Sequence, residues 1–355
     1  MYPPQPPLAR VRTPGYAGYS IAWSPFFAHR LAVASSANYG LVGNGRLHIL
    51  SLSPPASSGP ASLTIEKVFD TQDGLYDLAF SEAHENQLVT ASGDGSIKLW
   101  DCALQEHPIR NWSEHTREVF CVDWNNINKE LFASSSWDAS VRIWHPERPT
   151  SLTAITAHTG CVYACAFSPH NPDLLATACA DGHLRLFDLR QSTAQQPSVT
   201  LPVGGEVLCL DWNKYRPMTI ATGSTDRVIK TWDLRSATNN THVGAPVTPL
   251  QMGTPTAAIL GHEYAIRKVA YSPHSPQMLA SASYDMTARI WDTDAAAMAG
   301  LHTAQHAQPP PATGTMRKIH DTHTEFVVGV AWSFFQDGLV ASTAWDSETH
   351  LWTAP

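Results

Sequence analysis

The chain has 355 residues, 43% of them apolar, only 15% charged, with a net charge of −8. That is enough apolar material for a sizeable packed core, while the negative charge excludes a general nucleic-acid binder, which needs a basic surface against phosphate. No apolar run approaches the ~18 residues of a membrane-spanning helix, and the Pro-rich residues 1–14 lack the apolar core of a secretory signal.

In chain order, residues 8–13 read as a spare extended segment ahead of the first repeat. Ala22-Trp23-Ser24-Pro25 then announces a unit whose counterparts are Ala166-Phe167-Ser168-Pro169 and Ala270-Tyr271-Ser272-Pro273. This first unit is degenerate: Asn44 replaces an expected Asp, and extra residues lie around 38–43. Six clearer units follow, each with an Asp six residues before an aromatic: Asp94 and Trp100, Asp138 and Trp144, Asp181 and Phe187, Asp226 and Trp232, Asp285 and Trp291, Asp346 and Trp352. A hydroxyl stands four before each Asp (Thr90, Ser134, Thr177, Thr222, Ser281, Ser342), and an aromatic fourteen before (Phe80, Trp124, Phe167, Trp212, Tyr271, Trp332). Four units add a His twenty-three before the Asp: His115, His158, His262 and His323.

Successive Asp positions differ by 44, 43, 45, 59 and 61 residues. The shorter intervals are the WD-repeat period, and the two longer ones carry insertions at 236–255 and 294–315. Within a unit, residues 119–124, 131–136 and 141–144 predict three strands, and 151–156 or 198–203 a fourth. Four-stranded units at this period are propeller blades. The chain is therefore predicted to be all-β, a seven-bladed WD40 β-propeller in one domain over 1–355, with 1–15 as extension and closing strand and 16–352 as blades. The last unit has no room for a fourth strand, because the sequence stops three residues past Trp352. Residues 8–13 are expected to supply it and remove an open sheet edge.

His, hydroxyl and Asp together could suggest a hydrolase triad. Here the set recurs four times at fixed spacing, always with an aromatic, whereas a catalytic site is single. A buried hydrogen-bond network in each blade is the expectation, with the indole as a further donor, and the chain is not expected to be an enzyme. Cys102, Cys121, Cys161, Cys165, Cys179 and Cys209 form no C-x-x-C pair and read as free thiols of a reducing compartment. His302 and His306 lie in a Pro-rich insertion, His29, His107 and His350 stand singly, and no Gly-rich phosphate loop is present. No metal and no cofactor are predicted.

The loops leading into each first strand and the Asp turns fall on one face, around the central channel. That face collects acidic residues (Asp73, Asp77, Glu118, Glu206, Glu263, Glu325) and aromatic ones (Tyr76, Phe120, Trp137, Tyr163, Tyr264, Tyr284, Phe326, Trp345), with Arg117 and Arg267 as its few cations. Such a surface suits a basic, amphipathic peptide. The cargo-binding set expected from it is Tyr76, Asp77, Glu118, Phe120, Trp137, Tyr163, Glu206, Glu263, Arg267, Tyr284, Glu325 and Trp345. Asp77 and Glu118 are predicted to hold a basic residue, and Tyr76, Phe120, Trp137 and Tyr284 its apolar side.

Blade-by-blade deviations from the generic repeat are more specific than the repeat itself. Residues 18–50, with Trp23-Ser24-Pro25 and Asn38-Tyr39-Gly40 leading to Gly45-Arg46-Leu47, resemble the opening of the import receptors for type-2 peroxisomal targeting signals, the peroxin-seven family. So do Gly74-Leu75-Tyr76-Asp77, Ser136-Trp137-Asp138, Tyr264-Ala265-Ile266-Arg267 and His323-Thr324-Glu325-Phe326, and the likeness runs nearly end to end. The sequence departs at the insertions near 53–62, 236–255 and 294–315. The resemblance implies a receptor that binds an N-terminal signal of form basic-apolar-x5-His/Gln-apolar on matrix enzymes, as an amphipathic helix. It implies a co-receptor, docking proteins at the peroxisomal membrane, and shuttling between cytoplasm and peroxisomal matrix. The absence of a Ser-Lys-Leu address at Thr353-Ala354-Pro355 is what a shuttle would be expected to show. The alternative is another WD-repeat adaptor: a substrate-recognition subunit or a chromatin-associated scaffold.

Overall fold

The computed structural model describes residues 6–40, 43–53, 61–104, 107–191, 195–235, 254–294 and 314–355. The insertions at 236–255 and 294–315 fall almost entirely outside these, as do His302 and His306. Seven antiparallel sheets of four strands each follow one another along the chain. Their innermost strands are Tyr16–Trp23, Leu75–Phe80, Val119–Trp124, Val162–Ser168, Val207–Trp212, Ile266–Tyr271 and Val327–Trp332. Each packs against the innermost strands of the blades before and after it, and the seventh packs against the first. The ring of seven blades is the expected one.

Blade 3 shows how local sequence builds a unit. Val119–Trp124, Phe132–Ser136, Val141–Trp144 and Thr153–Ile155 pair in order. The first and third have the bounds expected from the sequence, and the others are shorter by one to three residues. Both faces of a blade are covered by neighbouring blades, so its second strand, Phe132–Ser136, is buried throughout instead of alternating, as in any sheet buried on two sides. Val119, Val122, Trp124 and Phe132 thus pack with Val89, Ile97 and Leu99 of blade 2.

The ring closes with a strand from the other end of the chain. Ala9–Arg12 pairs antiparallel with Glu348–Thr353, setting Ala9 opposite Leu351 and Arg12 opposite Glu348. Leu8 and Thr13 extend the ladder at 2.7 and 2.8 Å, and Arg12 Nε donates to Glu348 Oε1 at 2.6 Å. Ile21 and Leu31 of blade 1 pack with Leu339 and Leu351 of blade 7 under this seam.

The repeated polar residues form the expected networks, with one exception. His115 bonds Asp138 at 2.9 Å and Ser134 at 2.7 Å, and the Trp144 indole donates to Ser134 at 2.8 Å. His262 and His323 repeat the pattern with Asp285, Ser281 and Trp291, and with Asp346, Ser342 and Trp352. In blade 4, His158 reaches Thr177 at 2.9 Å, but its Nδ1 has no partner among the described residues. Arg185 and Thr159 take Asp181 instead, and Phe187 supplies no indole donor.

Candidate functional site at the channel mouth

Every innermost strand carries a β-bulge after its beginning, between Gly18 and Ser20, Leu75 and Asp77, Val119 and Cys121, Val162 and Ala164, Val207 and Cys209, Ile266 and Lys268, and Val327 and Gly329. A bulge leaves one residue out of the ladder and re-aims its side chain. The seven bulged residues are Tyr19, Tyr76, Phe120, Tyr163, Leu208, Arg267 and Val328, and six of them line one cavity along the propeller axis, as does Val328.

A second ring comes from the turns. The residue before each turn Asp donates its amide to the carbonyl just ahead of, or at the start of, the innermost strand: Trp137 to Glu118 at 3.0 Å, Tyr284 to Ala265 at 3.1 Å, Trp345 to Phe326 at 3.0 Å. These backbone bonds draw the large side chains over the mouth. A continuous aromatic belt results. Tyr163 meets Phe120 at 5.7 Å, Phe120 stacks on Trp137 at 5.3 Å, and Tyr76 bridges Phe120 at 5.1 Å and Tyr19 at 5.2 Å. Trp345 then links Tyr19 at 5.5 Å to Phe326 at 5.4 Å, and Phe326 meets Tyr284 at 5.1 Å. The belt breaks at blade 5, where Leu208 and Thr225 occupy the corresponding positions.

Carboxylates surround the belt unevenly. Glu118 is half-buried beside Phe120, with Arg117 Nε 3.6 Å away in a long, partly exposed pair; a pair of that kind is worth about 0–1 kcal/mol and yields to a better partner. Glu206 is exposed and accepts the Tyr163 hydroxyl at 3.0 Å, and burial together with this carboxylate raises the Tyr163 phenol above its ordinary range. Glu325 is half-buried next to Phe326, whereas Glu263 is exposed and set three residues before its strand.

Asp77 departs from the expectation of an open carboxylate. It follows the bulge, is only 5% exposed, and already accepts from Ser20 Oγ at 2.6 Å and Val122 N at 3.1 Å. Asp123 and Asp211 do the same lower down, accepting the amides of Phe167 and Tyr271, both at 2.7 Å. These carboxylates fasten neighbouring blades along the channel wall, and burial pushes Asp123 up to about 7. The structure brings Tyr76, Phe120, Trp137, Tyr163, Tyr284 and Trp345 of the expected set together, and adds Tyr19 and Tyr39 to them. Tyr19 lies four residues before Trp23, as Tyr76 does before Phe80 and Phe120 before Trp124, and that spacing would have found it. The Asn38–Gly40 turn presents Tyr39 to Trp345 at 5.7 Å, and a Cβ on Gly40 (φ 74°) would sit 2.9 Å from the Tyr19 hydroxyl.

Among the described residues, His320, His323 and His350 bring ring nitrogens within 4.8 Å of one another. The His323 and His350 rings stack at 3.9 Å and 11°, so their in-plane lone pairs cannot converge on one ion. His323 is also committed to Asp346 and Ser342. The cluster belongs to the seam between blades 6 and 7.

Known proteins narrow what such a channel mouth belongs to. Residues 64–101, 106–145, 149–188, 196–233 and 253–292 match the WD domain, G-beta repeat. Each matched stretch starts within or just ahead of the outermost strand of one blade and ends at, or one residue past, the third strand of the next, so the sequence repeat is staggered against the blade. The chain is 38% identical to the Peroxisomal targeting signal 2 receptor of Saccharomyces cerevisiae, over 97% of this chain and 99% of that one. The chain belongs to the peroxisomal targeting signal 2 receptor family. Peroxisome biogenesis protein 7 of Arabidopsis thaliana is 38% identical over 95% of both chains, and the Mus musculus receptor 35% identical over 96% of this chain and 95% of its own. Membership in a family of receptors on a WD-repeat propeller means that the chain is not an enzyme. No helix among the described residues is long and apolar enough to cross a membrane.

Proposed function

We propose that this protein is the import receptor that binds the N-terminal type-2 targeting signal of matrix enzymes at the channel mouth. With a co-receptor and docking proteins at the peroxisomal membrane, it delivers them, moving between cytoplasm and peroxisomal matrix. The observation that carries the reading is the aromatic belt from Tyr163 to Tyr284 edged by carboxylates, in a chain of this family. An amphipathic helix lays its apolar face on such a belt, and aromatic rings give large contact area at low entropic cost. Its basic residue pairs with Glu118 or Glu206; Glu263 and Glu325 serve the opposite side. Asp77, already hydrogen-bonded, acts by fixing the bulge that presents Tyr76.

The test is fluorescence anisotropy with a labelled type-2 signal peptide and the co-receptor at fixed concentration. Glu118→Lys is expected to weaken binding about tenfold or more, about 1.4 kcal/mol, with the melting temperature nearly unchanged. Glu206→Lys adds to the loss, and added salt weakens the wild-type complex. Wild-type affinity in both variants would remove this face as the site.

A further inference from the structure

Successive residues of a strand point to opposite faces. The bulge between Ile266 and Lys268 breaks that rule in blade 6, so Arg267 and Lys268 both line the axial cavity of about 280 Å³. Arg267 is only 8% exposed. Among the described residues its guanidinium meets no carboxylate and no carbonyl; its neighbour is the Phe120 ring, 4.6 Å from the guanidinium carbon. Lys268 likewise has no hydrogen bond or ion pair among the described residues.

A guanidinium withdrawn from water needs acceptors for its five N–H groups, and an aromatic face replaces only part of what is lost. Of the acidic groups that share the cavity, Asp77, Asp123 and Asp211 are engaged elsewhere. Asp77, at the depth of Lys268, accepts from Ser20 and Val122. Asp211 lies deeper and pairs with Lys214 at 2.7 Å, Asp123 accepts the Phe167 amide, and Glu82 lines the cavity from blade 2. The Tyr76 and Tyr284 hydroxyls, close to the mouth, form no hydrogen bond among the described residues and are available as donors. The Asp77 carboxylate holds Lys268 protonated.

We propose that Arg267 and Lys268 form an anion site just inside the channel mouth, which takes a small oxyanion of the carboxylate or phosphate class. The guanidinium fork receives two oxygens of the anion, the ammonium a third, and the Phe120 ring covers the back of the guanidinium. The site is separate from the outer ring of Glu118 and Glu206 and does not depend on the identity of the cargo.

Calorimetry on the full chain at constant ionic strength tests it with two kinds of probe. The free-anion arm uses pyrophosphate and citrate; the other uses a short peptide bearing one glutamate, against its glutamine twin. Saturable binding in either arm is expected, weakened at least tenfold by Arg267→Gln and by Lys268→Gln and left intact by Lys214→Gln deeper in the cavity. The tighter arm identifies the source of the anion, free in solution or carried on a docked chain. If Arg267→Gln fails to fold, Lys268→Gln, at a position with partial exposure, decides alone. No saturable binding of any probe in the millimolar range, or equal binding by wild type and both variants, overturns the site.

Discussion

His115 and His158 occupy the same position in two blades and are not equivalent. His115 satisfies both ring nitrogens, and burial of Asp138 is outweighed by bonds from His115 and Ser140, which hold that carboxyl well below its ordinary range. His158 leaves one nitrogen without a partner, while Arg185 and Thr159 hold Asp181; in blade 6 Arg289 reaches Asp285 from the same position and His262 keeps its bond. Removing His115 deletes two buried hydrogen bonds, to Asp138 and Ser134, whereas removing His158 deletes one, to Thr177. His115→Ala should therefore cost about 1–3 kcal/mol and His158→Ala distinctly less, read as shifts in the urea midpoint. A His158 cost equal to that of His115 would contradict the difference. The network itself was legible from spacing, since His, hydroxyl and Asp recur in register. The unpartnered His158 nitrogen was not, because an Arg four residues after the Asp stands in blade 6 as well, where the His–Asp bond is kept.

The closing strand shows how far an element can be read from sequence. Counting strands fixed both its existence and its place, because a four-stranded unit missing one strand leaves an open edge. Deleting residues 1–13 removes the ladder to Glu348–Thr353 and the Arg12–Glu348 contact, and exposes the apolar seam around Leu351. The truncated protein should melt well below the full chain in a calorimetric scan; an unchanged melting temperature would mean that the ring is held by the blade contacts alone. The bulges were less legible. A pattern of apolar residues in a strand buried on both faces hides the one residue that leaves the ladder, so Asp77 was assigned to the face when its neighbour Tyr76 alone reaches it. The anchor that does locate the bulge is the aromatic at the strand's end, four residues on, from Trp23 in blade 1 to Trp332 in blade 7.

The molecule as a whole should be acid-sensitive before its ordinary carboxylates titrate; Asp123, raised to about 7, opposes the buried histidines. Burial pushes His48, His158 and His350 down to about 4 and His320 to about 2, against about 6.5 in an unfolded chain. Lowered folded values mean that, as pH falls below about 6.5, the unfolded chain takes up protons that the folded one refuses. Stability is fully present above that point and is lost progressively down to about pH 4, where three of the four histidines accept protons in the folded state as well. The melting temperature should decline steadily over this window, and a flat profile would contradict the buried, neutral assignment. The seven bulged residues have a different consequence at this scale. The bulge aims each of them at the channel, and they are spread one per blade around a closed circle. The mouth is in this sense an alphabet of seven letters written on an invariant frame. A propeller of this kind could acquire a new ligand preference by substitutions at the circle that leave the sheets intact, with rings in contact across blades, such as Tyr76 and Phe120, changing together.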